Sequence, residues 1–458
     1  SEVTGFPEML DGRVKTMHPK ITGAILAVRG NAQHEASLRE HEIEPIDIVV
    51  VNLYQFEKVA ARADAGLEDL IENIDIGGPT MIRSAAKNWQ DVAVVTSPAD
   101  YGPVLDELRS AGRLSRETKW KLAKQAFQVT ADYDRAISAR LAEVGKASEA
   151  LPAFLDIRVP RRVSLRYGEN PHQQAALYAS GAAGVAGAEQ LHGKELSYNN
   201  LVDLDACWEL ASEFTGPAAA IIKHTNPAGC AEQASLAEAY RKALECDPVS
   251  AFGAVIGFNR EVDEETAGEL AKLFVEAIAA PGFSEGALGI LQAKKNIRLV
   301  RVAAAGDRLA VRSISGGYLA QTADRAAFDR AACEVKTRRA PTPDEWTALE
   351  FGWKVVKHVK SNAIVYARPG QTVAVGAGQM SRVDSVNLGA MKAHLPLEGS
   401  VVASDAYFPF PDGLEQAAKH GATAFIQPGG SVNDQKVIDA ADGLGVAMVF
   451  TGVRHFRH

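Results

Sequence analysis

The chain has 458 residues, of which 47% are hydrophobic and 23% are charged, and its formal net charge is −8. This length is enough for two or three domains with substantial cores, and the composition is that of an ordinary globular protein. A nucleic-acid surface would need a basic face, so the acidic balance argues against nucleic-acid binding. Small anions are not excluded, because a few cations focused in a cleft can hold them.

The cysteines and the apolar segments exclude further classes of protein. The four cysteines are widely scattered and form no Cys-x-x-Cys pair, so neither a zinc cage nor a disulfide framework is indicated. No apolar stretch approaches the ~20 residues that span a bilayer, and no signal peptide precedes Ser1. We therefore expect a cytoplasmic protein that binds no membrane. The opening SEVTGFPEML without Met indicates that the numbered chain lacks its natural beginning.

The first part of the chain alternates apolar runs with amphipathic ones. Residues 46–54 (IDIVVVNLY) predict a strand of a parallel sheet covered on both faces, and residues 91–98 (DVAVVTSP) predict a second strand. Between them, IDIGGPTMIRSAAKN indicates a glycine turn and a helix with Pro79 near its start. A helical pattern runs from about Ser115 to Val144. The segment EVGKASEALPAF then predicts a linker near residue 150 and domains at 1–150 and 151–458.

In the second part, which again has an α/β pattern, the segment PAAAIIKHTNPAG is the most informative. Residues 217–222 predict a buried strand, and Asn226-Pro227 predicts a turn or the start of a helix. Lys223 and His224 are then expected at the carboxyl end of a strand, where α/β sheets bind ligands. A cation beside an imidazole can move protons at neutral pH. A surface loop that holds two basic residues is the plainer alternative.

The first domain has its own candidates for proton transfer, namely Lys15, Tyr54, Asp75 and Lys87. Asp75 precedes Gly77 and Gly78, whose backbone N–H groups would cradle an anion at a helix start. A carboxylate, an ammonium group and a phenol in one crevice could manage the proton transfers of a ring closure or a dehydration. The alternatives are a solvated helix face for Lys87 and a capped core tyrosine for Tyr54.

Several segments of the second domain suit the binding of a nucleotide or a flat heterocycle. Ser381 and Arg382 stand at an expected helix N-terminus, a natural place for a phosphate. Aromatic rings beside a carboxylate suit a pterin-like ring, with core packing as the alternative. The zinc-deaminase signature is absent, so no catalytic metal is expected. The remaining candidates are Arg166, Tyr167, Tyr407, Phe408, Phe410, Asp412, Arg454 and His458.

Ten motifs in order identify a resemblance that covers essentially the whole chain. They are GRVKTMHPK, NLYQF, IDIGGPTMIRSAAKN, LRYGENPHQ, IKHTNPAG, DPVSAFGAVIGFN, KSNAIVYA, GAGQMSRVDS, SDAYFPFPDG and the RHFRH tail. Together they resemble the bifunctional purine-biosynthesis family that combines aminoimidazole-carboxamide ribotide (AICAR) transformylase with inosinate (IMP) cyclohydrolase. The resemblance implies a methylglyoxal-synthase-like, Rossmann-type domain followed by a cytidine-deaminase-like transformylase region.

For the second domain, the resemblance implies formyl transfer from 10-formyltetrahydrofolate to AICAR, without a metal, in a homodimer whose transformylase sites lie at the interface. His224 would be the base, Lys223 would stabilise the oxyanion or protonate the folate nitrogen, and Asn362 would orient the formyl oxygen and His224. The nucleotide and its phosphate would contact Arg166, Tyr167, Asn200, Arg454 and His458. The folate would contact Tyr407, Phe410 and Asp412.

For the first domain, the resemblance implies closure of formyl-AICAR to IMP by Lys15, Tyr54, Asp75 and Lys87, with the Gly77-Gly78 backbone facing the oxyanion. The family's opening strand and its phosphate-binding turns are not in this sequence. Two alternatives therefore stay open: a transformylase with an inactive, truncated cyclohydrolase domain, or a non-catalytic nucleotide-binding regulator. The presence of Lys223, His224 and Asn362 together argues against the regulator.

Overall fold

The computed structural model describes residues 2–7, 9–10, 13–62, 64–144, 151–306 and 309–458. The chain divides into two compact units, residues 1–150 and residues 151–458. The predicted linker near residue 150 falls largely on residues 145–150, which lie outside the described residues. Among the described residues, no helix has both the length and the apolar character that crossing a bilayer requires.

The first unit packs helices around a parallel pair of strands. The strands are β1 (Ile48–Val50) and β2 (Ala93–Val95), with Val49 opposite Val94. The helices described in this unit are α1 (Pro19–Leu26), α2 (Ala32–Glu40), α3 (Phe56–Ala60), α4 (Leu67–Glu72), α5 (Gly77–Lys87), α6 (Tyr101–Ala111) and α7 (Arg116–Glu143).

Most sequence predictions for this unit are confirmed. Helix α5 begins at Gly77 with Pro79 in its first turn, and the Ser115 side chain caps α7 by accepting a hydrogen bond from the Thr118 N–H. Strand β2 is fully buried, as predicted. The expectation that β1 is covered on both faces is wrong, because only Val49 is buried while Ile48 and Val50 are exposed. In the described residues β1 pairs with β2 alone, and one of its faces meets solvent.

The second unit contains sixteen strands and ten α-helices among its described residues. The strands are β3 (Arg161–Leu165), β4 (Ala175–Tyr178), β5 (Glu189–His192), β6 (Ala218–Lys223), β7 (Asn226–Glu232), β8 (Val255–Phe258), β9 (Ala277–Ala280), β10 (Arg298–Arg301), β11 (Leu309–Ile314), β12 (Gly317–Thr322), β13 (Glu334–Val335), β14 (Ile364–Arg368), β15 (Gln371–Gly376), β16 (Val401–Ser404), β17 (Ala424–Gln427) and β18 (Ala447–Phe450). The helices are α8 (Gly184–Gly187), α9 (Tyr198–Ala211), α10 (Leu236–Cys246), α11 (Pro248–Ala251), α12 (Glu264–Leu270), α13 (Glu285–Gln292), α14 (Pro343–Val356), α15 (Arg382–Lys392), α16 (Pro411–Lys419) and α17 (Asp434–Leu444).

A mixed sheet of twelve strands organises this unit, in the order β13-β18-β17-β16-β14-β15-β7-β6-β8-β9-β10-β5. Each half repeats one pattern. An antiparallel hairpin (β6–β7 or β14–β15) is followed by an antiparallel neighbour (β8 or β16) and then by two parallel strands. The predicted α/β class is confirmed, and the sheet is mixed because hairpins interrupt its parallel runs.

The core lies in layers on the two faces of this sheet. One hydrophobic cluster spans both halves and contains the inward faces of α9 and α14, including Leu204 and Val355. On the other face each half has its own cluster, one around Tyr240 and Phe258 and one around Phe408. Strands covered on both faces explain the continuous apolar runs of the sequence.

The KHTNP segment folds differently from the prediction. Asn226-Pro227 neither turns the chain nor starts a helix, because both residues belong to β7, and His224 and Thr225 form the turn of a β6–β7 hairpin. A proline cannot donate to a strand ladder and is tolerated at bulges. Pro227 lies at such an irregularity, since the register shifts between Ile221 and Ile222. The prediction that Lys223 ends a buried strand is confirmed.

A partly buried ion pair fastens α14 to the sheet. The Glu345 carboxylate accepts two hydrogen bonds from the Arg339 guanidinium, at 2.8 and 2.6 Å, and one from the Thr423 hydroxyl at 2.6 Å. It also accepts the Thr342 N–H at the start of the helix. Burial alone would raise the pKa of Glu345, but these hydrogen bonds and the charge of Arg339 lower it from 4.5 to about 2.

We expect Glu345→Gln to lower the free energy of unfolding at neutral pH by about 1–2 kcal/mol, because charge-assisted hydrogen bonds are lost at a partly solvated pair. A lowered folded-state pKa gives stability that is present above the ordinary pKa of 4.5 and is lost as the pH falls towards about 2. Hydrogen exchange of α14 between pH 7 and pH 3 measures both effects. Equal pH dependence in the two proteins would contradict the prediction.

Candidate functional site

A cavity of about 290 Å³ opens at the carboxyl end of β6. Its walls come from both halves of the twelve-stranded sheet, because the ends of β6, β7 and β15 meet there. It carries several charged and polar groups beside apolar ones. The lining residues are Lys223, His224, Asn226, Pro227, Ala228, Cys246, Asp247, Ser250, Ala374, Val375, Ala377, Leu388 and Lys392.

Lys223 and His224 both face this cavity, as the sequence predicted for a strand end. The half-buried Lys223 is held by its Nζ, which donates to the carbonyl oxygen of Phe252 at 2.7 Å. His224 occupies the hairpin turn and is exposed. The pair therefore places a fixed cation beside an accessible imidazole, an arrangement suited to proton transfer.

Asn362 is brought towards this pair by a contact between the two halves. The Asn226 side chain, two residues after His224, accepts the Lys360 N–H at 3.0 Å, and Lys360 lies two residues before Asn362. The Asn362 amide nitrogen donates to the carbonyl oxygens of Gln379 and Met380 at 3.0 and 3.2 Å. Its position is therefore fixed by backbone groups. The KSN and KHTN motifs therefore touch through Asn226, which lines the cavity, although Lys360 is 134 residues further along the chain and Asn362 is not among the lining residues.

Arg382 does not have the environment of a phosphate ligand. Ser381 does cap α15, as predicted, but Arg382 is only 6% exposed. Its Nη1 donates to the fully buried Asp405 carboxylate at 2.5 Å and to the Ser404 hydroxyl at 2.7 Å. Its Nη2 donates to the Asn362 side-chain oxygen at 2.8 Å. The guanidinium is thus neutralised by a carboxylate and orients the Asn362 amide.

The residues assigned to nucleotide and folate lie mostly on the surface. Arg166 is exposed and lies over the Tyr167 ring, with its Nη2 donating to the phenol oxygen at 3.0 Å. Asn200 is buried, and its side-chain oxygen caps α9 by accepting the Ser197 N–H. The aromatic group divides into two, because Phe408 is fully buried in the core whereas Tyr407 and Phe410 are 39% and 59% exposed. The exposed members of the predicted set also include Asp412, Arg454 and His458.

The C-terminal tail contributes contacts that the sequence did not reveal. Ser361, the residue before Asn362, donates its N–H to the Arg457 carbonyl oxygen at 3.0 Å, and its hydroxyl accepts the Arg457 N–H at 3.1 Å. The buried His455 ring bonds Asp324 at 2.6 Å. In an extended segment only every second side chain can face inward, and in the RHFRH tail these are His455 and Arg457. This spacing was the signal in the sequence from which the contacts of the tail could have been predicted.

Asp247 and Lys392 were also missed, although both line the cavity. The Asp247 carboxylate accepts the Ser250 hydroxyl at 2.6 Å and pairs with Lys392 Nζ at 3.1 Å. Burial would raise the pKa of Asp247, but the hydrogen bonds from Ser250 and Lys392 and the charge of Lys392 lower it. The pair holds the α11 turn, whose following residue Phe252 carries the carbonyl group that binds Lys223.

In the first unit, most of the predicted residues meet at the start of α5. The Asp75 carboxylate accepts the Gly78 N–H at 2.7 Å and the Tyr54 N–H at 3.4 Å. A β-carbon on Gly78 would lie 2.5 Å from the Asp75 carboxylate, and one on Gly77 would lie 2.6 Å from the hydroxyl of Thr16, the neighbour of Lys15. A side chain at either position would therefore force these neighbours to move.

Lys87 is not brought to this cluster. It lies in the last turn of α5, and ten residues of helix separate it from Gly77, a rise of about 15 Å. The structure thus gathers Tyr54, Asp75, Gly77 and Gly78. Lys15 is the chain neighbour of Thr16, whose hydroxyl lies beside Gly77, and Lys87 lies at the far end of the helix. Among the described residues, no cluster of three or more His, Cys, Asp or Glu side chains could hold a metal ion.

Comparison of the chain with known protein families identifies the family to which it belongs. A family model described as AICARFT/IMPCHase bienzyme matches residues 85–392, which is more than half of the chain, and an MGS-like domain model matches residues 1–80. The chain belongs to the AICARFT/IMPCHase bienzyme family.

Curated relatives agree with this membership. The bifunctional purine biosynthesis protein PurH of Bacillus subtilis (strain 168) is 51% identical over 464 residues, covering 100% of this chain and 90% of the relative. PurH of Bacillus cereus (strain AH187) is 52% identical over 466 residues, with the same coverage. A solved structure, that of ForH, is 32% identical, with a TM-score of 0.30 over 32% of this chain and 75% of that chain.

The pairing of the buried Arg382 guanidinium can be tested by changing its partner, Asp405. Asp405→Asn would leave Arg382 buried without a counter-charge, so we expect the free energy of unfolding to fall by about 3–5 kcal/mol. Urea unfolding followed by hydrogen exchange of α15 measures this loss. Asp412→Asn, at an exposed carboxylate in the first turn of α16, is the matched control and should lower the free energy of unfolding by less than about 1 kcal/mol. A stable Asp405→Asn protein would contradict the assignment of Arg382 as a buried, paired cation.

Proposed function

We propose that this protein catalyses the last two steps of purine-nucleotide synthesis. The first is formyl transfer from 10-formyltetrahydrofolate to the 5-amine of AICAR, and the second is closure of formyl-AICAR to IMP with loss of water. Family membership supports the pair of reactions. The observation that carries the first reaction is the cavity that Lys223 and His224 line together, with the loop of Asn362 tied to the same hairpin by the Asn226–Lys360 hydrogen bond.

The transformylase chemistry follows from these side chains. The AICAR amine is a poor nucleophile, because it is conjugated with an imidazole that carries a carboxamide. His224 takes the amine proton as the nitrogen attacks the formyl carbon, and Lys223 stabilises the oxyanion or protonates the leaving folate nitrogen. A placed proton-transfer group contributes about 10²–10⁴ in rate, and one oxyanion donor about 10²–10³.

We assign Asn362 to orienting His224 and the formyl oxygen, as the family's motif implies. Its amide nitrogen is held by two carbonyl oxygens and its side-chain oxygen by Arg382. An amide has two N–H groups, so contact with the formyl oxygen requires one of these two donated hydrogen bonds to be exchanged for it. We therefore assign Arg382 to orienting Asn362, and Ser381 stays a candidate for substrate contact at the start of α15.

The substrates are assigned to further residues of the second unit, which are not among those that line the cavity. The nucleotide and its phosphate contact Arg166, Tyr167, Arg454 and His458, with Asn200 supporting from the start of α9. The rings of Tyr407 and Phe410 are exposed and adjacent in sequence to Asp412, which suits a reduced pterin with N–H donors. Support for these assignments comes from the exposure of the groups and from the family's motifs.

The cyclohydrolase is assigned to the start of α5. The formyl carbon is attacked by the carboxamide nitrogen, and Asp75 and Tyr54 move protons. The Asp75 carboxylate bonds the Gly78 N–H, which fixes it at this helix start. We therefore assign the oxyanion to the backbone at Gly77 and not to the Gly78 N–H. This arrangement favours two activities over a transformylase with an inactive first domain. Lys15 and Lys87 are the remaining candidates, with Lys87 the more distant.

We expect His224→Ala to lower formyl transfer by about 10²–10⁴, because the base is lost, and to leave the cyclisation of supplied formyl-AICAR intact. Each half-reaction is measured separately on the full chain. Equal loss of both activities in a folded variant would contradict the division between the two units.

The reciprocal variant is Gly78→Ala, whose added methyl group would displace the Asp75 carboxylate. We expect cyclisation to fall by at least tenfold, as for a misplaced catalytic group, and formyl transfer to be unchanged. Lys87→Ala is the matched comparison on the same helix. If Lys87→Ala abolishes cyclisation while Gly78→Ala does not, the site lies at the other end of α5.

The family resemblance implies a homodimer whose transformylase sites are shared between copies, and the exposed Arg454 is a residue that one copy could contribute to the site of the other. Mixing the inactive variants His224→Ala and Arg454→Ala tests this arrangement. If one site takes His224 from one copy and Arg454 from the other, mixed dimers contain one intact site and activity returns. No recovery, with subunit exchange verified, would show that both residues of a site come from the same copy.

A further inference from the structure

The turn that carries His224 has an unusual backbone. His224 and Thr225 have φ angles of +56° and +63°, and Lys223 pairs with Asn226 across the two-residue loop. Positive φ at both central residues is the signature of a type I′ turn, which favours asparagine, aspartate and glycine. A β-branched threonine in this region is a true outlier. The conformation therefore needs support from the surrounding structure.

That support comes from Asp203 on α9. Its Oδ1 accepts the Thr225 N–H at 2.7 Å, and the His224 N–H also stabilises its ionised form. Burial raises the pKa of Asp203, while these backbone hydrogen bonds and the charge of His224 oppose the rise. A half-buried carboxylate thus faces the two N–H groups of the turn that the strand ladder does not use.

The other half of the sheet provides an internal comparison. Its equivalent hairpin turns through Pro369 and Gly370, with only Gly370 at positive φ (+67°), the pattern of a type II turn. Counted from the helix caps Ser197 and Thr342, the position of Asp203 corresponds to Ala348 on α14, which is buried and apolar. A turn built from proline and glycine needs no carboxylate beneath it, whereas the histidine–threonine turn has one.

We propose that Asp203 is a positioning residue for formyl transfer, whose carboxylate holds the His224–Thr225 turn in its left-handed conformation and so directs the His224 imidazole into the cavity. This rests on the proposed function, because the transformylase role of His224 gives the turn its purpose. Asp203 acts through the backbone of the turn and contacts no substrate. The left-handed turn fixes the direction of the His224 side chain, and this backbone conformation is unfavourable without the support of Asp203.

The test compares Asp203→Ala with the double variant Asp203→Ala/Thr225→Gly. Loss of charge-assisted hydrogen bonds should lower kcat for formyl transfer by about tenfold to a hundredfold, with little change in KM for AICAR. Glycine adopts positive φ without a penalty, so the double variant should recover much of that loss. Asp203→Asn keeps an acceptor oxygen, should lose less, and replaces the alanine variant if that protein does not fold.

Controls separate this proposal from the function on which it rests. Asp205→Asn lies on the same helix but about 200° around it, and should transfer formyl groups at the wild-type rate. Cyclisation of formyl-AICAR should be unchanged in every variant. Wild-type kcat in Asp203→Ala, or a double variant as slow as Asp203→Ala, would overturn the positioning role. Absence of formyl transfer in the wild-type protein would instead overturn the proposed function.

Discussion

The second unit depends on one buried junction, where β7 meets β15 and joins the halves of the twelve-stranded sheet. The Thr372 hydroxyl accepts the Cys230 N–H at 2.8 Å and donates to the Cys230 carbonyl oxygen at 3.0 Å. Thr372 and Cys230 are fully buried, so both backbone groups would otherwise be left without partners away from water. One side chain therefore completes the ladder at the place where the strands of the two halves meet.

This junction determines which residues line the cavity. Because β15 runs beside β7, residues of β15 line the cavity together with Lys223 and His224, and the loop that carries Asn362 is tied to the β6–β7 hairpin. The Asn226–Lys360 hydrogen bond joins the two halves of the sheet near the β6–β7 turn. Arg382, which is paired with Asp405, then holds the Asn362 side chain by donating to its oxygen. Each of these contacts joins residues that are distant in sequence, and the cavity exists only when the sheet is whole.

The sequence predicts the parts of this structure that local chemistry determines. Ser115 and Pro79 carry capping and helix-start signals, and α7 and α5 begin where those signals stand. The β6–β7 hairpin was missed because His-Thr is not a usual I′ turn, and the residue that stabilises it, Asp203, is 22 positions away from Thr225. Arg382 was expected to be a phosphate ligand because it stands at a helix start. Its partner Asp405 lies 23 residues further along the chain, so the local sequence does not show that the two are paired. Sequence patterns show helix ends, but not which charges become buried together.

The repeated half-sheet has a consequence for the history of the chain. If the two halves descend from a duplicated segment, the ancestral protein had two equivalent hairpins, whose turns lie at opposite ends of the strands in the present sheet. The Pro369–Gly370 turn then uses residues that form a turn with little strain, whereas the His224–Thr225 turn keeps a conformation that the Asp203 carboxylate supports. Divergence between duplicated halves would thus have made the two hairpins of a symmetric precursor unequal.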